Sequence, residues 1–172
     1  MKDIEALIAD VPDFPKPGII FKDITPVLLD AAAFDRVIDA LAAQARSRGA
    51  TKIAGIESRG FLFGAPLARQ LGLGFVPMRK PSKLPRATLR AAFAKEYGED
   101  VIEMHTDALS SEDRVLIVDD LLATGGTARA AADLVHQAGA RVAGFSFVVE
   151  LAFLEGRKLL GEVPVDTLLS YR

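Results

Sequence analysis

The stretch that decides the fold is Val115-Leu116-Ile117-Val118-Asp119-Asp120-Leu121-Leu122-Ala123-Thr124-Gly125-Gly126-Thr127. Four apolar residues that favour β-structure lead into two adjacent carboxylates. A turn of small residues follows, and then an alanine-rich segment with helical spacing. A continuous apolar run is typical of a strand that is buried on both faces inside a parallel sheet. The stretch therefore predicts a strand, a turn and a helix, in that order.

The turn from Ala123 to Thr127 has the composition of a phosphate-binding loop. Gly125 and Gly126 permit positive φ and let a ligand approach the backbone closely. The amino end of the following helix adds partial positive charge, and the hydroxyls of Thr124 and Thr127 can donate to the same anion. We therefore expect all five residues, 123 to 127, to bind a phosphate. An ordinary strand-to-helix turn is the alternative.

The two carboxylates of Asp119 and Asp120 point to a second group beside that phosphate. Carboxylates repel a phosphate but accept hydrogen bonds from sugar hydroxyls, and they also suit a metal ion. A buried strand end by itself gives no reason for two adjacent charges. The pattern therefore predicts a ribose phosphate, with the diol bound by Asp119 and Asp120. A Walker A loop is not matched, because no Lys follows the last Gly.

Composition limits the class of protein. The chain has 172 residues, half of them apolar, no cysteine and a net charge of −2. This length fits one domain with a substantial core, and no run approaches the ~18 apolar residues of a membrane span. Residues 1–10 do not resemble a secretory signal, and the charge argues against nucleic acid or membrane as the main partner. We expect a cytoplasmic protein.

Hydrophobic spacing predicts alternating strands and helices. One helix carries an apolar stripe from Phe34 to Ala45 and ends near Gly49. The other predicted segments are strands at 52–57, 75–78, 115–118, 142–149 and 165–169, helices at 60–71, 131–138 and 153–160, a loop at 81–92, and a hairpin of 93–97 with 101–105. This order predicts an α/β fold, with a mainly parallel central sheet flanked by helices on both faces.

Ile53-Ala54-Gly55-Ile56-Glu57-Ser58-Arg59-Gly60-Phe61 forms a second strand–turn–helix pattern. The turn at Ser58 and Arg59 precedes a helix, where backbone N–H groups and a guanidinium can bind an anion together. A solvated surface arginine is the ordinary alternative. The presence of the first loop favours an anion site here.

A basic segment follows, with Arg79, Lys80, Lys83, Arg86 and Arg90 and no acidic residue among them. Long irregular loops are often lids over active sites. A solvated basic loop is one alternative and a nucleic-acid patch is another. The segment lacks the aromatic residues that stack on single-stranded bases, which counts against the second alternative.

The stretch 115–127 resembles the phosphoribosyl-pyrophosphate (PRPP) loop of the type I phosphoribosyltransferase family. Asp13-Phe14-Pro15-Lys16-Pro17-Gly18-Ile19-Ile20-Phe21-Lys22-Asp23-Ile24-Thr25-Pro26 and Glu96-Tyr97-Gly98 resemble the members that act on adenine. The resemblance runs from about Ile4 to the C-terminus. It implies a single domain over 1–172, a base-recognition segment at about 1–33 and a lid loop at about 79–98. It also implies a homodimer and the reaction of PRPP with adenine to give AMP and pyrophosphate.

The resemblance also implies roles for individual residues. Glu96 would handle the proton at the imidazole edge of the purine, although a Glu in a hairpin is ordinarily just solvent-facing. Arg79 would reach the site of a neighbouring subunit. Magnesium would be bound mainly through substrate oxygens, with no dedicated protein ligands. Pyrophosphate would be bound by Ser58, Arg59, Arg79, Lys80 and Lys83.

Ile20, Phe21 and Lys22 would bind adenine, with the backbone N–H and C=O of Ile20 matching N1 and the 6-amino group. Phe21 could equally belong to the core. Many members carry Arg in place of Lys22, and lysine cannot reproduce a planar bidentate contact. Many members carry Gly at the position of Ser82. Serine in its place would stiffen the lid.

Two other functions stay open at this point. The same fold could act on a 6-oxo purine, since the ammonium of Lys22 could donate to a carbonyl oxygen. A PRPP-sensing regulator would bind without catalysis, but it should lack Glu96 or carry an added DNA-binding segment. His105 and His136 are isolated from other ligand-type residues, and we expect both to be structural or exposed.

Overall fold

The computed structural model describes residues 1–94 and 98–172. Its helices are α1 (Lys2–Glu5), α2 (Thr25–Leu29), α3 (Ala31–Ser47), α4 (Gly60–Leu71) and α5 (Gly126–Gln137). Its strands are β1 (Ala9–Pro12), β2 (Ile20–Asp23), β3 (Lys52–Ile56), β4 (Gly74–Met78), β5 (Thr88–Ala94), β6 (Glu99–His105), β7 (Arg114–Leu122), β8 (Arg141–Leu151) and β9 (Val165–Tyr171). Two 3₁₀ segments, Ala152–Leu154 and Gly156–Leu160, lie between β8 and β9.

The centre of the molecule is a five-stranded sheet in the order β4-β3-β7-β8-β9, and all of its pairings are parallel. Side chains of β7 alternate between its two faces. Leu116 and Val118 pack in the apolar cluster that contains residues of α3 and α4, whereas Ile117 packs in the cluster that contains residues of α5. The predicted α/β fold, with helices on both faces of a parallel sheet, is confirmed.

Three predicted helices are present, and local chemistry explains where they begin or end. The Asp30 side chain accepts a hydrogen bond from the N–H of Ala33 at 2.9 Å and caps α3, as short polar side chains do at helix starts. Gly72 adopts φ +66° directly after α4, and Gly139 adopts φ +78° just beyond α5. Glycine accepts this left-handed conformation without a steric cost, so it ends helices readily.

The predicted loop at 81–92 is wrong in its second half. Strand β5 already begins at Thr88, and it pairs antiparallel with β6 from Thr88↔His105 to Ala94↔Glu99. Leu89 and Ala91 of this hairpin pack in the cluster that includes α5. Residues 88–92 are therefore a strand because they pair with β6 and pack in this cluster, although their sequence alone does not predict one. The predicted hairpin is therefore longer at its start, and residues 95–97 lie outside the described residues.

Other boundaries also differ from the prediction. Strand β7 runs through both carboxylates to Leu122, because Leu121 and Leu122 continue the pairing with β8. The predicted helix at 153–160 is two 3₁₀ segments separated by Glu155, which has φ +53°. The antiparallel pair β1–β2 was not predicted.

None of the helices within 1–94 and 98–172 is long and apolar enough to cross a membrane.

Candidate active site

The sheet brings the two predicted anion-binding turns side by side. β3 and β7 are parallel neighbours, with Gly55 opposite Val118, so the turns after their carboxyl ends lie at the same sheet edge. Gly60, the first residue of α4, has its backbone against β7. A Cβ built on Gly60 would lie 2.7 Å from the carbonyl oxygen of Val118 and 2.9 Å from Oδ1 of Asp119. Glycine at this position lets the first turn of α4 approach the carboxylates.

Arg59 joins the predicted pyrophosphate turn to the predicted ribose carboxylates. Its Nε donates to Oδ2 of Asp120 at 2.5 Å, and Asp120 is 4% exposed. Oδ1 of Asp119 accepts a hydrogen bond from the N–H of Asp120 at 2.9 Å. Both carboxylates line one polar cavity with Glu57, Ser58 and Arg59. The structure thus assembles residues that lie about sixty positions apart in the sequence.

The electrostatics of this cavity favour a ligand that can donate hydrogen bonds or carry positive charge. Burial raises the pKa of the Asp119 carboxyl well above its ordinary value, and the neighbouring Asp120 carboxylate raises it further. Arg59 opposes this shift only in part. A group with these properties gains from a hydroxyl donor or a cation placed beside it.

The predicted phosphate loop lies between β7 and α5. Gly125 adopts φ +85° directly before α5, and residues 123–127 line a single cavity with Asp119. The amino end of α5 opens onto this cavity, so its N–H groups and partial positive charge are available to an anion. Thr124 is exposed and Thr127 is half-buried. The structure thus places residues 123–127 around one cavity, and binding of a phosphate there stays a prediction.

Gly156 supports the phosphate loop from behind, and sequence reasoning missed it. A Cβ on Gly125 would overlap the carbonyl oxygen of Gly156 and would lie 3.1 Å from its carbonyl carbon. A Cβ on Gly156 would overlap the carbonyl oxygen of Ala123 and would lie 3.0 Å from the nitrogen of Gly125. Its sequence signal is weak, because it is one glycine inside a segment that was predicted as a helix.

Arg79 lies against its own chain. Its Nε and Nη2 donate to the two carboxylate oxygens of Glu57 at 3.1 and 3.2 Å, and the N–H of Lys80 donates to Oε2 of Glu57 at 3.0 Å. Burial would raise the pKa of Glu57, but these hydrogen bonds and the charge of Arg79 bring it below its ordinary value. The expected reach of Arg79 to a neighbouring subunit stays a prediction.

The rest of the basic segment is partly neutralised. Arg86 forms an ion pair with Asp107, and Arg90 forms one with the buried Glu103 at 2.8 Å. Lys80 and Lys83 are exposed. Ser82 adopts φ +65°, the left-handed conformation that favours glycine.

The predicted base-binding residues lie on β2, where successive side chains point to opposite faces. The Phe21 ring is half-buried, and its centroid is 5.5 Å from Cζ of Arg59. This position beside Arg59 of the predicted anion-binding turn favours a role in the site over a role in the core. The ammonium of Lys22 is 2.5 Å from Oδ1 of Asp10 and 4.0 Å from the ring centroid of Tyr171.

An apolar cleft of about 490 Å³ lies on the opposite face of β2. Ile20 and Lys22 line it on one side, and the exposed Phe153 and Leu154 line it on the other. That Phe153 and Leu154 line this cleft was not predicted, because their sequence is that of an ordinary apolar segment. Glu96, the predicted proton-handling residue, lies outside the described residues.

Comparison with known proteins agrees with this geometry. Residues 27–166 match the family model described as phosphoribosyl transferase domain. An adenine phosphoribosyltransferase from Nocardioides sp. is 59% identical over 169 residues, which are 96% of this chain and 91% of the relative. The adenine phosphoribosyltransferase from Myxococcus xanthus is 55% identical, over 98% of this chain and 92% of the relative.

Solved structures give the same result. The crystal structure of adenine phosphoribosyltransferase from Thermoanaerobacter pseudethanolicus superposes with a TM-score of 0.96 at 52% identity and covers 99% of both chains. The Saccharomyces cerevisiae enzyme, complexed with an imino-altritol bisphosphate and adenine, superposes with a TM-score of 0.94 at 42% identity, over 98% of this chain and 97% of that one. The chain therefore belongs to the adenine phosphoribosyltransferase family, with the type I phosphoribosyltransferase fold.

Proposed function

We propose that this protein transfers the 5-phosphoribosyl group of PRPP to N9 of adenine and releases AMP and pyrophosphate, in purine salvage. The observation that carries the proposal is the contact of Arg59 with Asp120. It joins an anion-binding turn to a pair of carboxylates that lies beside the phosphate loop. The relatives named above carry this activity in their names, and the yeast structure holds adenine.

PRPP has three recognisable parts, and the site offers a region for each. The 5′-phosphate would bind at residues 123–127, where the backbone N–H groups at the start of α5 meet. The ribose hydroxyls would donate to Asp119 and Asp120. The pyrophosphate would bind at Ser58 and Arg59, with Arg79, Lys80 and Lys83 adding positive charge. Because Arg59 is 43% exposed, it can bind this ligand without first leaving a fully buried position.

Adenine would be read by the β2 segment. The backbone of Ile20 offers a donor and an acceptor that match N1 and the 6-amino group, and the Phe21 ring lies next to Arg59. The Lys22 ammonium already has Asp10 and the face of Tyr171 as partners. A 6-oxo purine would have to compete with these partners for that donor, so the geometry favours a 6-amino purine.

The chemistry is a displacement at the anomeric carbon of ribose. The bond from C1′ to the pyrophosphate oxygen breaks and the bond from N9 to C1′ forms, while positive charge develops on the sugar ring. Asp119 and Asp120 hold the sugar in position beside that charge, and the cationic turn stabilises the leaving group. Glu96 would accept the proton that adenine loses, and the segment at about 79–98 would exclude water.

Magnesium fits this site as an ion carried by the substrate. Asp119 and Asp120, which line one polar cavity with Glu57, would lie near an ion that the substrate carries in. When bound, Mg²⁺ would neutralise charge on the leaving group.

We also propose a homodimer and a cytoplasmic location. Leu29 is 88% exposed and Leu62 is 43% exposed, and their burial by a partner copy would be favourable. The cysteine-free composition fits the cytoplasm. Sedimentation at assay concentrations tests the assembly. A fully active monomer would refute it.

The reaction is tested by release of pyrophosphate from PRPP in the presence of Mg²⁺. Release should depend on added adenine and should match the AMP formed in a one-to-one ratio. A PRPP-sensing regulator would bind PRPP in a titration but would release no pyrophosphate with any base, and that result would overturn the proposed reaction.

A further inference from the structure

The buried carboxylate of Glu150 is not part of the binding sites described above. Glu150 is 6% exposed and lies near the carboxyl end of β8. In the sheet it is directly opposite Leu122, the last residue of β7 before the phosphate loop. A charged group in such a place needs partners, and those partners show what it does.

Arg157 is the main partner of Glu150 and binds both of its carboxylate oxygens. Its Nε and Nη2 donate to the two oxygens of Glu150 at 2.6 and 2.8 Å. The same guanidinium donates to the carbonyl oxygen of Val165 at 2.7 Å and to Oγ1 of Thr167 at 3.1 Å. The hydroxyl of Thr167 donates to Oε2 of Glu150 at 3.2 Å. Arg157 is therefore fastened to both β8 and β9.

Gly156 immediately precedes Arg157 and lies against the back of the phosphate loop. As shown above, there is no room for a side chain between its backbone and the backbone of Ala123 and Gly125. A segment that is held to the sheet on one side and touches the loop on the other limits how far the loop can move. Such a contact would keep the N–H groups of the loop aimed at one position before any ligand arrives.

We propose that Glu150 and Arg157 are positioning residues, which hold Gly156 against the phosphate loop and so keep the loop in the shape that binds the 5′-phosphate of the ribose substrate. The inference rests on the proposed function, because it assigns the 5′-phosphate to residues 123–127. The lowered pKa of Glu150, which the Arg157 hydrogen bonds cause against the effect of burial, agrees with a carboxylate that stays charged in this pair.

The proposal separates two ligands that the site binds at different places. Ribose 5-phosphate uses the phosphate loop, whereas inorganic pyrophosphate uses the turn at Ser58 and Arg59. Loss of the ion pair should therefore weaken the first ligand and leave the second nearly unchanged. A general loss of folding would weaken both.

The experiment is calorimetric titration of ribose 5-phosphate and of pyrophosphate with Mg²⁺, on wild-type protein and on Arg157→Gln, Arg157→Lys and Glu150→Gln. Melting followed by circular dichroism identifies the variants that are folded at the assay temperature. Asp166→Asn is the matched control. Arg48 binds Asp166 with two hydrogen bonds of 3.0 and 2.9 Å on the same strand β9. Asp166 acts on Arg157 through its charge rather than through a hydrogen bond, so this variant leaves the hydrogen bonds between Arg157 and Glu150 in place.

In folded Arg157→Gln or Glu150→Gln we expect the dissociation constant of ribose 5-phosphate to rise about tenfold, with that of pyrophosphate changed less than about twofold. The dissociation constant of ribose 5-phosphate for Arg157→Lys should lie between those of these variants and the wild type. Lysine keeps the charge but cannot form the two parallel hydrogen bonds of a guanidinium. Equal losses for both ligands, no loss for ribose 5-phosphate, or the same selective loss in Asp166→Asn would overturn the proposal. Wild-type protein that binds both ligands but makes no AMP would instead overturn the proposed function.

Discussion

Gly125 and Gly156 are in direct backbone contact, although thirty-one positions separate them in the sequence. A Cβ on Gly125 would overlap the carbonyl oxygen of Gly156 and would lie 3.1 Å from its carbonyl carbon. Gly125 also adopts φ +85° at the start of α5. The phosphate loop therefore requires glycine at this position for two separate reasons, the conformation of the backbone and the absence of space.

Gly125→Ala should abolish measurable PRPP binding, because the added methyl group forces the loop away from Gly156 and also strains the backbone. The matched control is Gly139→Ala. Gly139 has φ +78°, but a Cβ there would have no neighbour within 4 Å. The control should lose about 1 kcal/mol of stability through backbone strain alone and should keep its PRPP affinity. Calorimetric titration with PRPP decides, and unchanged affinity in Gly125→Ala would place the phosphate elsewhere.

Asp120→Asn should lower turnover with little loss of folding. The amide keeps one acceptor for the ribose diol but loses the charge that pairs with Arg59. Hydrogen bonds to charged groups contribute about 1.5–3 kcal/mol, so a fall of about ten- to a hundredfold in kcat/KM for PRPP is expected. Wild-type kinetics together in Asp120→Asn and Asp119→Asn would exclude these carboxylates from ribose binding.

Asp119→Asn should change the pH dependence of stability as well as the kinetics. The folded protein raises the pKa of Asp119, chiefly through burial, so it holds this proton more tightly than the unfolded chain does. The contribution of Asp119 to stability is then full below its ordinary pKa of 3.8 and is lost as the pH rises through the higher pKa of the folded state. Because Asn does not ionise, Asp119→Asn should not show this loss of stability as the pH rises.

Urea unfolding at a series of pH values measures the effect. Near neutral pH, Asp119→Asn should be at least as stable as the wild type while it is less active. Asp113 is the control with the opposite sign, since burial raises its pKa less than the hydrogen bonds from Ser110 and Thr51 lower it. Asp113→Asn should therefore lose stability near neutral pH. A less stable Asp119→Asn would contradict this account of the Asp119 carboxyl.

Glu96→Gln should slow the chemical step more than it weakens binding. Gln is nearly isosteric and keeps a hydrogen bond to the purine, but it cannot accept the proton. General acid–base assistance contributes about 10²–10⁴-fold. Single-turnover rates should fall by that range, with the dissociation constants of adenine and PRPP nearly unchanged. If adenine affinity collapses while the single-turnover rate holds, Glu96 is a binding residue.

Local patterns predicted the parts of the fold that depend on local forces. The apolar run before Asp119 and the helical stripes of α3, α4 and α5 are periodic, so the parallel sheet with helices on both faces could be predicted. The start of β5 at 88–92 could not, because Leu89 is its one large apolar residue and its β-structure comes from pairing with β6 and packing on α5.

The candidate site likewise has residues that the sequence predicts and residues that only long-range contacts reveal. Asp119, Asp120 and the loop at 123–127 are consecutive and carry their own chemical signature. Gly156 and Glu150 act on that loop from distant positions, through a backbone contact and an ion pair that no spacing in the sequence reveals. The partners of Lys22 are equally non-local, since Tyr171 lies at the end of the last strand.

The most direct test of the central claim is a comparison of bases under one set of conditions. Wild-type protein with PRPP and Mg²⁺ is offered adenine, hypoxanthine, guanine and xanthine in turn, and kcat/KM is measured for each. The account predicts AMP from adenine, and values for the three 6-oxo purines lower by about a hundredfold or more, because the backbone of Ile20 suits a 6-amino group and the Lys22 ammonium is engaged. Comparable or faster turnover of a 6-oxo purine would contradict it.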